Sequence, residues 1–518
     1  MHWLLLAASA ALYIAAFPPV NQPWCAWVAL VPWLRLLRRV SAAQAARFSF
    51  LLGTVVFLVT ISWLLHVTIV GWIALSLVMA LYWGIFGWAV NRWYALERQP
   101  PRRTRAGRAL QAIGRGPWFI PAAWTAFEYI RAHLFSGFGW NLLAYSQASW
   151  VPVIQIAEVT GAWGLSFIIV AVNSLLEGEL PDARPARRAG RWLAAAAALA
   201  VATVGYGWWR LPQIGRGPSV RVAVLQGNIP QHEKWDEKQQ EPILRQYEEL
   251  ALRAADDEPD LIVWPETSAP DFFGLGETVT QRVIGLAETL QIPMLVGAPT
   301  AKLETMEWRN ANSAVLISPD GDVLDQYDKL HLVPYGEYIP FEDLMPWIRA
   351  IAPPIGDFIP GGGYTVFHIP PAEGGKTVPP FSVLICFEDI FPELARTFVE
   401  GGAQWLLVIT NDGWFGPTAA AIQHAQASTL RAVELRVPVA RAANTGWSGC
   451  IDAAGRWTGQ VQDAQGAALF VAGTHTCDLQ VDGSETPYRR FGDWVPMVSC
   501  LLLGIGWPAA GVFRRRKR

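Results

Sequence analysis

The chain has 518 residues, 52% of them hydrophobic and only 16% charged, a balance too apolar for an ordinary soluble enzyme and a length sufficient for more than one domain. A net charge of -2 argues against nucleic acid as a partner. The five cysteines, at 25, 386, 450, 477 and 500, show no CxxC spacing and no disulfide ladder.

Apolar runs dominate the first 210 residues and return near the C-terminus. About 20 apolar residues cross the roughly 30 Å of hydrocarbon in a bilayer, and eight spans are predicted, near residues 2–17, 23–38, 48–66, 69–91, 117–133, 151–177, 190–210 and 493–512. The first lacks a basic n-region and the second follows almost at once, so it reads as a span rather than a cleaved signal peptide. Cys25 and Cys500 fall in these runs as small hydrophobes. Arginines cluster after the even-numbered spans: Arg35, Arg38, Arg39 and Arg47; then Arg98, Arg102, Arg103, Arg105 and Arg108; then Arg184, Arg187, Arg188 and Arg191. Short cytoplasmic loops carry the excess of basic residues. Both termini are therefore expected in the cytoplasm, with "RRRKR" at 514–518 as an anchor, and the segment between the seventh and eighth spans outside. In a two-membrane bacterium that describes a multi-pass inner-membrane protein with a periplasmic domain. The aromatic, nearly uncharged stretch "SGFGWNLLAYSQASW" between the fifth and sixth spans reads equally as an interfacial belt or as an element of lipid access. Glu158, inside the sixth span, reads as a functional or a hydrated structural acid.

The segment from 214 to 490 is more polar and carries short β-like runs at 220–228, 260–267, 293–300, 312–329, 381–386, 405–410 and 437–444. Helix-like stretches at 239–256 and 279–291 separate some of them, and "SPDGD" predicts a hairpin turn. This alternation predicts one α/β domain of layered sheets and outer helices. Three run ends carry reactive groups: Glu266 in "LIVWPE", Lys329 after "DQYD" and Cys386 after "FSVLI". A thiol attacks as thiolate, so it needs a base or a cation. Glu266 is a candidate base, and Lys329 a candidate cation for an oxyanion. Taken singly, each also has an ordinary reading, as a structural cysteine or a solvated loop charge.

Together, "WPET", "YDKLHLVPYGEYIP" and "ICFEDIFPE" resemble the Glu-Lys-Cys signature of the nitrilase (carbon–nitrogen hydrolase) superfamily. With the spans, and with "QGNIPQHEKWD", "NDGWFG" and "GFGWNLLAYSQ", the chain resembles the apolipoprotein N-acyltransferase family of bacteria over essentially its whole length. The resemblance implies an α+β membrane protein in which an eight-span transmembrane helical domain joins a nitrilase-like α-β-β-α sandwich domain outside the membrane. It divides the chain at 1–213 (seven helices), 214–490 (periplasmic catalytic domain) and 491–518 (last helix and basic tail). It implies Glu266 as general base, Lys329 as oxyanion cation, Cys386 as nucleophile, and Glu337 as a carboxylate orienting or balancing Lys329. Trp235, Phe387, Glu388 and Trp414 are implied as supporting or substrate-binding residues. Phe387 departs from the tyrosine many members carry after the nucleophile, so no hydroxyl acts there.

The implied reaction moves an acyl chain from a phospholipid such as phosphatidylethanolamine, through a Cys386 thioester, to the α-amine of diacylglyceryl-cysteine on an apolipoprotein. No cofactor is expected. No metal is expected either, because His331 and His424 belong to no HExxH-like cluster. Cys450 and Cys477 could pair in an oxidising periplasm, whereas Cys386 must stay free. Two other readings are a membrane-anchored amidase acting on a soluble substrate, for which seven preceding spans are excessive, and a transporter or receptor, which leaves the Glu-Lys-Cys set unexplained.

The arginine pattern predicts a topology that reporter fusions can check. Fusions after Arg39, Arg108 and Arg188 are expected to read cytoplasmic and one near Asp320 periplasmic; a cytoplasmic signal at Asp320 would remove the proposed compartment and substrate together.

Overall fold

The computed structural model describes residues 1–97, 117–179, 190–215, 217–304, 307–340, 357–371 and 376–509. The arginine clusters at 98–108 and 184–188 and the basic tail at 514–518 lie outside the described residues. The chain divides into two compact units, Met1–Pro212 with Thr486–Arg518, and Gln213–Glu485.

The first unit is helical: α1 (His2–Ala15), α2 (Val31–Leu37), α3 (Ala42–Thr60), α4 (Ile69–Glu97), α5 (Phe119–His133), α6 (Ala157–Glu179), α7 (Arg191–Arg210) and a C-terminal helix, Trp494–Ala509. Among the described residues, four segments are long and apolar enough to cross a membrane: Ala42–Thr60, Ile69–Glu97, Ala157–Gly178 and Arg191–Gln213. The unit is therefore that of a membrane protein, while helix length by itself does not establish the expected eight spans. The run at 23–38 is broken into a 3₁₀ turn, Pro23–Trp27, and the seven-residue α2, each opened by a proline that lacks the N–H a helix interior needs. Helix α3 starts six residues before its apolar run. Ser41 and Gln44 form a capping box there, satisfying two otherwise orphaned N–H groups, so Arg47 lies on the helix rather than in a loop.

Charged residues inside this unit pair with one another. Arg38 is buried, donating from Nε and Nη2 to Glu177 and from Nη1 to Glu97, each at 2.9 Å, with its guanidinium 3.8 Å from the Tyr94 ring centre. Glu158 accepts from Arg210 Nε at 2.8 Å and from the Tyr206 hydroxyl. The acid read as ambiguous in the sequence is a buried ion-pair partner.

The second unit holds two sheets. One has the order β11-β1-β2-β3-β4-β5, from β1 (Ser219–Gln226), β2 (Leu261–Val263), β3 (Met294–Glu304), β4 (Glu307–Ile317), β5 (Val323–Asp328) and β11 (Gly473–Gln480). The other has the order β10-β9-β8-β7-β6, from β6 (Phe381–Ile385), β7 (Trp405–Thr410), β8 (Val439–Ala443), β9 (Gly449–Ile451) and β10 (Trp457–Gln460). Strands β1, β2 and β3 are mutually parallel, as are β6, β7 and β8, so the C-terminal ends within each set point the same way.

Helices α8 (Gln240–Ala255) and α9 (Glu277–Leu290) cover the first sheet, burying Tyr247, Leu250, Val283 and Ala287 against Leu225, Ile262, Trp264 and Val296. Helices α10 (Pro392–Glu400) and α11 (Ala420–Leu435) follow β6 and β7 in chain order, as crossovers between parallel strands require. The sheets meet through the Ser448 hydroxyl, which donates to Gln226 Oε1 at 2.6 Å, and through the Cys450–Cys477 disulfide, with Cα atoms 6.6 Å apart. Helix, sheet, sheet and helix are thus stacked with the candidate residues at strand ends.

Candidate active site

Strand β2 is short because the chain bends after it at Trp264-Pro265. Gly297 on β3 permits the bend: a Cβ there would stand 2.1 Å from the Pro265 carbonyl oxygen. Ser268 N then donates to Gly297 O at 2.7 Å, and Glu266 is fixed over the ends of the parallel strands. Glu266 is 6% exposed. Oε1 accepts from Asn312 Nδ2 at 2.7 Å and lies 3.5 Å from Lys329 Nζ, while Oε2 accepts from the main-chain N of Asn411 at 2.8 Å.

Lys329 is held by the first sheet, its own N–H donating to Asn312 O at 2.8 Å. Its ammonium, 1% exposed, donates to Glu337 Oε1 at 2.9 Å. Glu337 also takes Asn312 Nδ2 at 3.0 Å and the main-chain N of Val333 at 2.8 Å. Burial opposes the lysine charge, but the Glu337 and Glu266 carboxylates outweigh it and hold the pKa above the ordinary lysine range.

Cys386 is the first residue after β6 and has φ 54, a left-handed conformation that costs a non-glycine residue about 1 kcal/mol or more. Two contacts over-determine it. Glu388 Oε2 accepts from the N–H of Ile385 at 2.7 Å, and a His424 ring nitrogen meets the Cys386 carbonyl at 3.2 Å. Burial pushes the Cys386 thiol well up, the Glu266 carboxylate pushes it further, and Lys329 opposes both. At neutral pH the thiol is protonated, so attack by sulfur requires a base.

Glu388 faces the main chain. Its Oε1 accepts from the Tyr327 hydroxyl at 2.8 Å and from the N–H groups of Leu330 and His331 at 2.7 and 3.0 Å, tying the turn after Cys386 to the segment carrying Lys329. Burial raises its pKa to about 7 against these stabilising bonds. Phe387 packs edge-on against Phe391, ring centres 5.3 Å apart. Trp235 is 47% exposed, and Trp414 is half-buried in the turn Asp412–Phe415. Glu266, Lys329 and Glu337 are thus joined by hydrogen bonds and ion pairs, Cys386 lies within their electrostatic reach, Glu388 braces the turn after it, and among the described residues the two tryptophans stand outside the hydrogen-bonded set.

Four fully buried charges lie behind Cys386. His424 on α11 pairs with Asp389 Oδ1 and Asp412 Oδ1, each at 2.9 Å, and Arg441 on β8 reaches the second oxygens of the same two acids at 3.0 and 3.3 Å. Burial and Arg441 oppose charge on His424, but Asp389 and Asp412 raise its pKa to about 9. Two anions and two cations cancel, the condition under which ions persist without water. Asn312, Asn411 and these four residues escape sequence reasoning. Asp389 and Asp412 do lie in two of the quoted motifs, "ICFEDIFPE" and "NDGWFG".

Residues 9–175 match the apolipoprotein N-acyltransferase N-terminal domain and residues 221–475 match carbon-nitrogen hydrolase. The apolipoprotein N-acyltransferase of Geobacter metallireducens is 36% identical, covering 99% of this chain and 96% of the relative. The chain belongs to the apolipoprotein N-acyltransferase family. The Methylococcus capsulatus member is 30% identical over 100% of this chain and 97% of its own. Among solved structures, an amidase from Nesterenkonia sp. is 22% identical, covers 54% of this chain and 95% of its own, and has a TM-score of 0.36. In this member of the N-acyltransferase family, every residue of the candidate site falls in the carbon-nitrogen hydrolase portion.

The His424 proton sets a pH dependence of stability. Its folded pKa is raised, so its contribution is full below the ordinary histidine value of about 6.5 and is lost as pH rises through about 9. Thermal unfolding of the purified chain in detergent is expected to show a midpoint that falls across this window, and His424→Gln to lack that part of the slope. Equal slopes in the two proteins would mean that His424 is neutral in the fold.

Proposed function

We propose that the protein completes bacterial lipoprotein maturation by transferring an acyl chain from a membrane phospholipid, with phosphatidylethanolamine the expected donor, to the N-terminal α-amine of diacylglyceryl-cysteine. The observation that carries this reading is the 36% identity to an apolipoprotein N-acyltransferase over 99% of the chain, which runs through both the membrane unit and the hydrolase unit. The site chemistry supports it: a buried carboxylate, a buried ammonium and a protonated thiol are the parts of acyl transfer through a covalent intermediate.

In the first half-reaction Glu266 takes the Cys386 proton and sulfur bonds to the ester carbonyl carbon. Lys329 stabilises the oxyanion, and the carbon–oxygen bond breaks. The lysophospholipid leaves with the proton from Glu266. In the second half-reaction the neutral α-amine attacks the thioester, its proton passes to Glu266, the carbon–sulfur bond breaks, and Glu266 returns the proton to sulfur. An amide and a free thiol result. Two substrates using one sulfur in turn imply ping-pong kinetics. Glu337 balances Lys329, Glu388 braces the turn after Cys386, and Trp235, Phe387 and Trp414 contact the substrates' acyl chains through ring surface. Both substrates keep their acyl chains in the bilayer, since moving one into water costs about 0.8 kcal/mol per CH₂.

The accompanying arrangement is a multi-pass protein of the inner membrane with eight spans, both termini cytoplasmic, and the catalytic domain at 214–490 in the periplasm. The Cys450–Cys477 disulfide supports that side, because disulfides persist in oxidising compartments.

Depleting the protein is expected to leave lipoproteins with an unacylated α-amine, read by mass spectrometry of their N-termini. Re-expressed Cys386→Ala should restore nothing, and Lys329→Ala should transfer about 10²–10³-fold more slowly, the usual loss for one oxyanion donor. Full N-acylation in depleted cells, or with Cys386→Ala, would refute the assignment.

A further inference from the structure

The loop between β1 and α8 carries "QGNIPQHEKWD", and the mechanism above uses only its tryptophan. The loop is tied to the second sheet. Asn228 N donates to Asn444 O at 2.6 Å and Ile229 N to Asn444 Oδ1 at 2.9 Å, while Asn411 Nδ2 donates to Gln231 Oε1 at 2.6 Å. Asn411 is also the residue whose main-chain N–H binds the Glu266 carboxylate. This anchored loop delivers Lys234 to a position only 2% exposed, where Nζ donates to the Glu266 main-chain carbonyl at 2.9 Å. A lysine is rarely buried this completely without a charge to answer.

The site's own carboxylates identify that charge. Glu266 is buried and Glu337 partly buried, and the Lys329 ammonium lies nearer to Glu337 at 2.9 Å than to Glu266 at 3.5 Å. Lys234 brings a second ammonium to these carboxylates, beside the Cys386 thiol, while the buried Glu388, its pKa raised to about 7, acts on Lys329. Among the described residues, the hydrogen bond of Lys234 goes to the main chain, so what it gives the Glu266 carboxylate is charge.

We infer that Lys234 is a positioning residue whose ammonium keeps Glu266 ionised, and so able to accept the Cys386 proton, while Lys329 is occupied by Glu337. Burial lowers the Lys234 pKa to about 8, against the opposing pull of Glu266 and Cys386, so the residue holds most of its charge at neutral pH. The charged and titratable groups that face it are Glu266, after β2, and Cys386, after β6. Lys329 and Glu337 act on it through Glu266. The inference rests on Glu266 being the base of the proposed reaction.

The test is the pH dependence of Cys386 alkylation by iodoacetamide in the purified full chain in detergent, read by peptide mass spectrometry at Cys386; it needs neither lipid nor lipoprotein. An opposite charge close to a carboxylate moves its titration by about one to three pH units. Lys234→Met is therefore expected to shift the acid limb of the profile upward by about that amount. Lys234→Gln, which keeps a donor and loses the charge, should shift it alike, and Lys234→Arg should leave it near the wild-type position. A Lys234→Met limb that coincides with wild type, or full rescue by Lys234→Gln, overturns the inference, the latter assigning Lys234 a hydrogen-bonding role alone. Glu266→Gln separates the two possible failures. If it leaves the profile unchanged, the base assignment falls and this inference with it; if the profile responds to Glu266→Gln but not to Lys234→Met, only the role of Lys234 is lost.

Discussion

In the proposed reaction a carboxylate accepts a proton from a buried thiol, so it has to stay ionised out of contact with water, and this constraint organises the unit that holds the two sheets. Glu266 meets it with an amide N–H from Asn312, a main-chain N–H from Asn411 and the Lys329 ammonium at 3.5 Å. The donors come from different places: Asn312 from β4, Lys329 from just beyond β5, and Asn411 from just beyond β7 in the opposite sheet. The carboxylate is thus satisfied only when both sheets are in place. Folding of the sandwich and competence of the site are one event, and the charge that the proposed reaction needs is also what the fold must compensate.

Cys386, the proposed nucleophile, is held by a similar logic one layer deeper. A thiol at φ 54 at the end of a strand relaxes unless its flanking peptide groups are fixed. Glu388 fixes the N–H before it and His424 the carbonyl after it. His424 works as an imidazolium because Asp389 and Asp412 bracket it, and those acids tolerate burial because Arg441 answers them. Removing one member of such a set costs about 3–5 kcal/mol, since the remaining charge stays buried without a partner. A preorganised, water-poor arrangement of this kind favours transfer to an amine over loss to water.

What was legible in the sequence follows from what each element shows locally. Strands β1, β3, β6 and β7 read directly because they are runs rich in apolar residues, and Glu266, Lys329 and Cys386 stand out at the ends of the runs that hold β2, β5 and β6. Strand β11 did not. "GTHTCDLQ" is polar and half-buried, and its pairing with β1 is set by a partner more than 240 residues away in the chain. Helix α11 was missed for the opposite reason: nearly every residue from Ala420 to Leu435 is buried, so no polar face marks a helical period. The His424 set joins residues from 389 to 441, and ion pairs over such separations leave no periodic trace. In the membrane unit, apolar length was legible; the break at Pro23 and Pro32 is a local proline effect that apolar length alone does not show, and the burial of Arg38 against Glu177 depends on a tertiary partner.

The central claim is that Cys386 carries the acyl group between two lipid substrates. It is tested most directly by the intact mass of purified protein incubated in detergent with phospholipid and no lipoprotein. The account predicts a gain of one acyl group that is absent in Cys386→Ala, removed by hydroxylamine, and discharged onto the α-amine of an added diacylglyceryl-cysteine peptide but not onto the same peptide N-acetylated. A charged species that never appears, or that water discharges as fast as the peptide does, would contradict it.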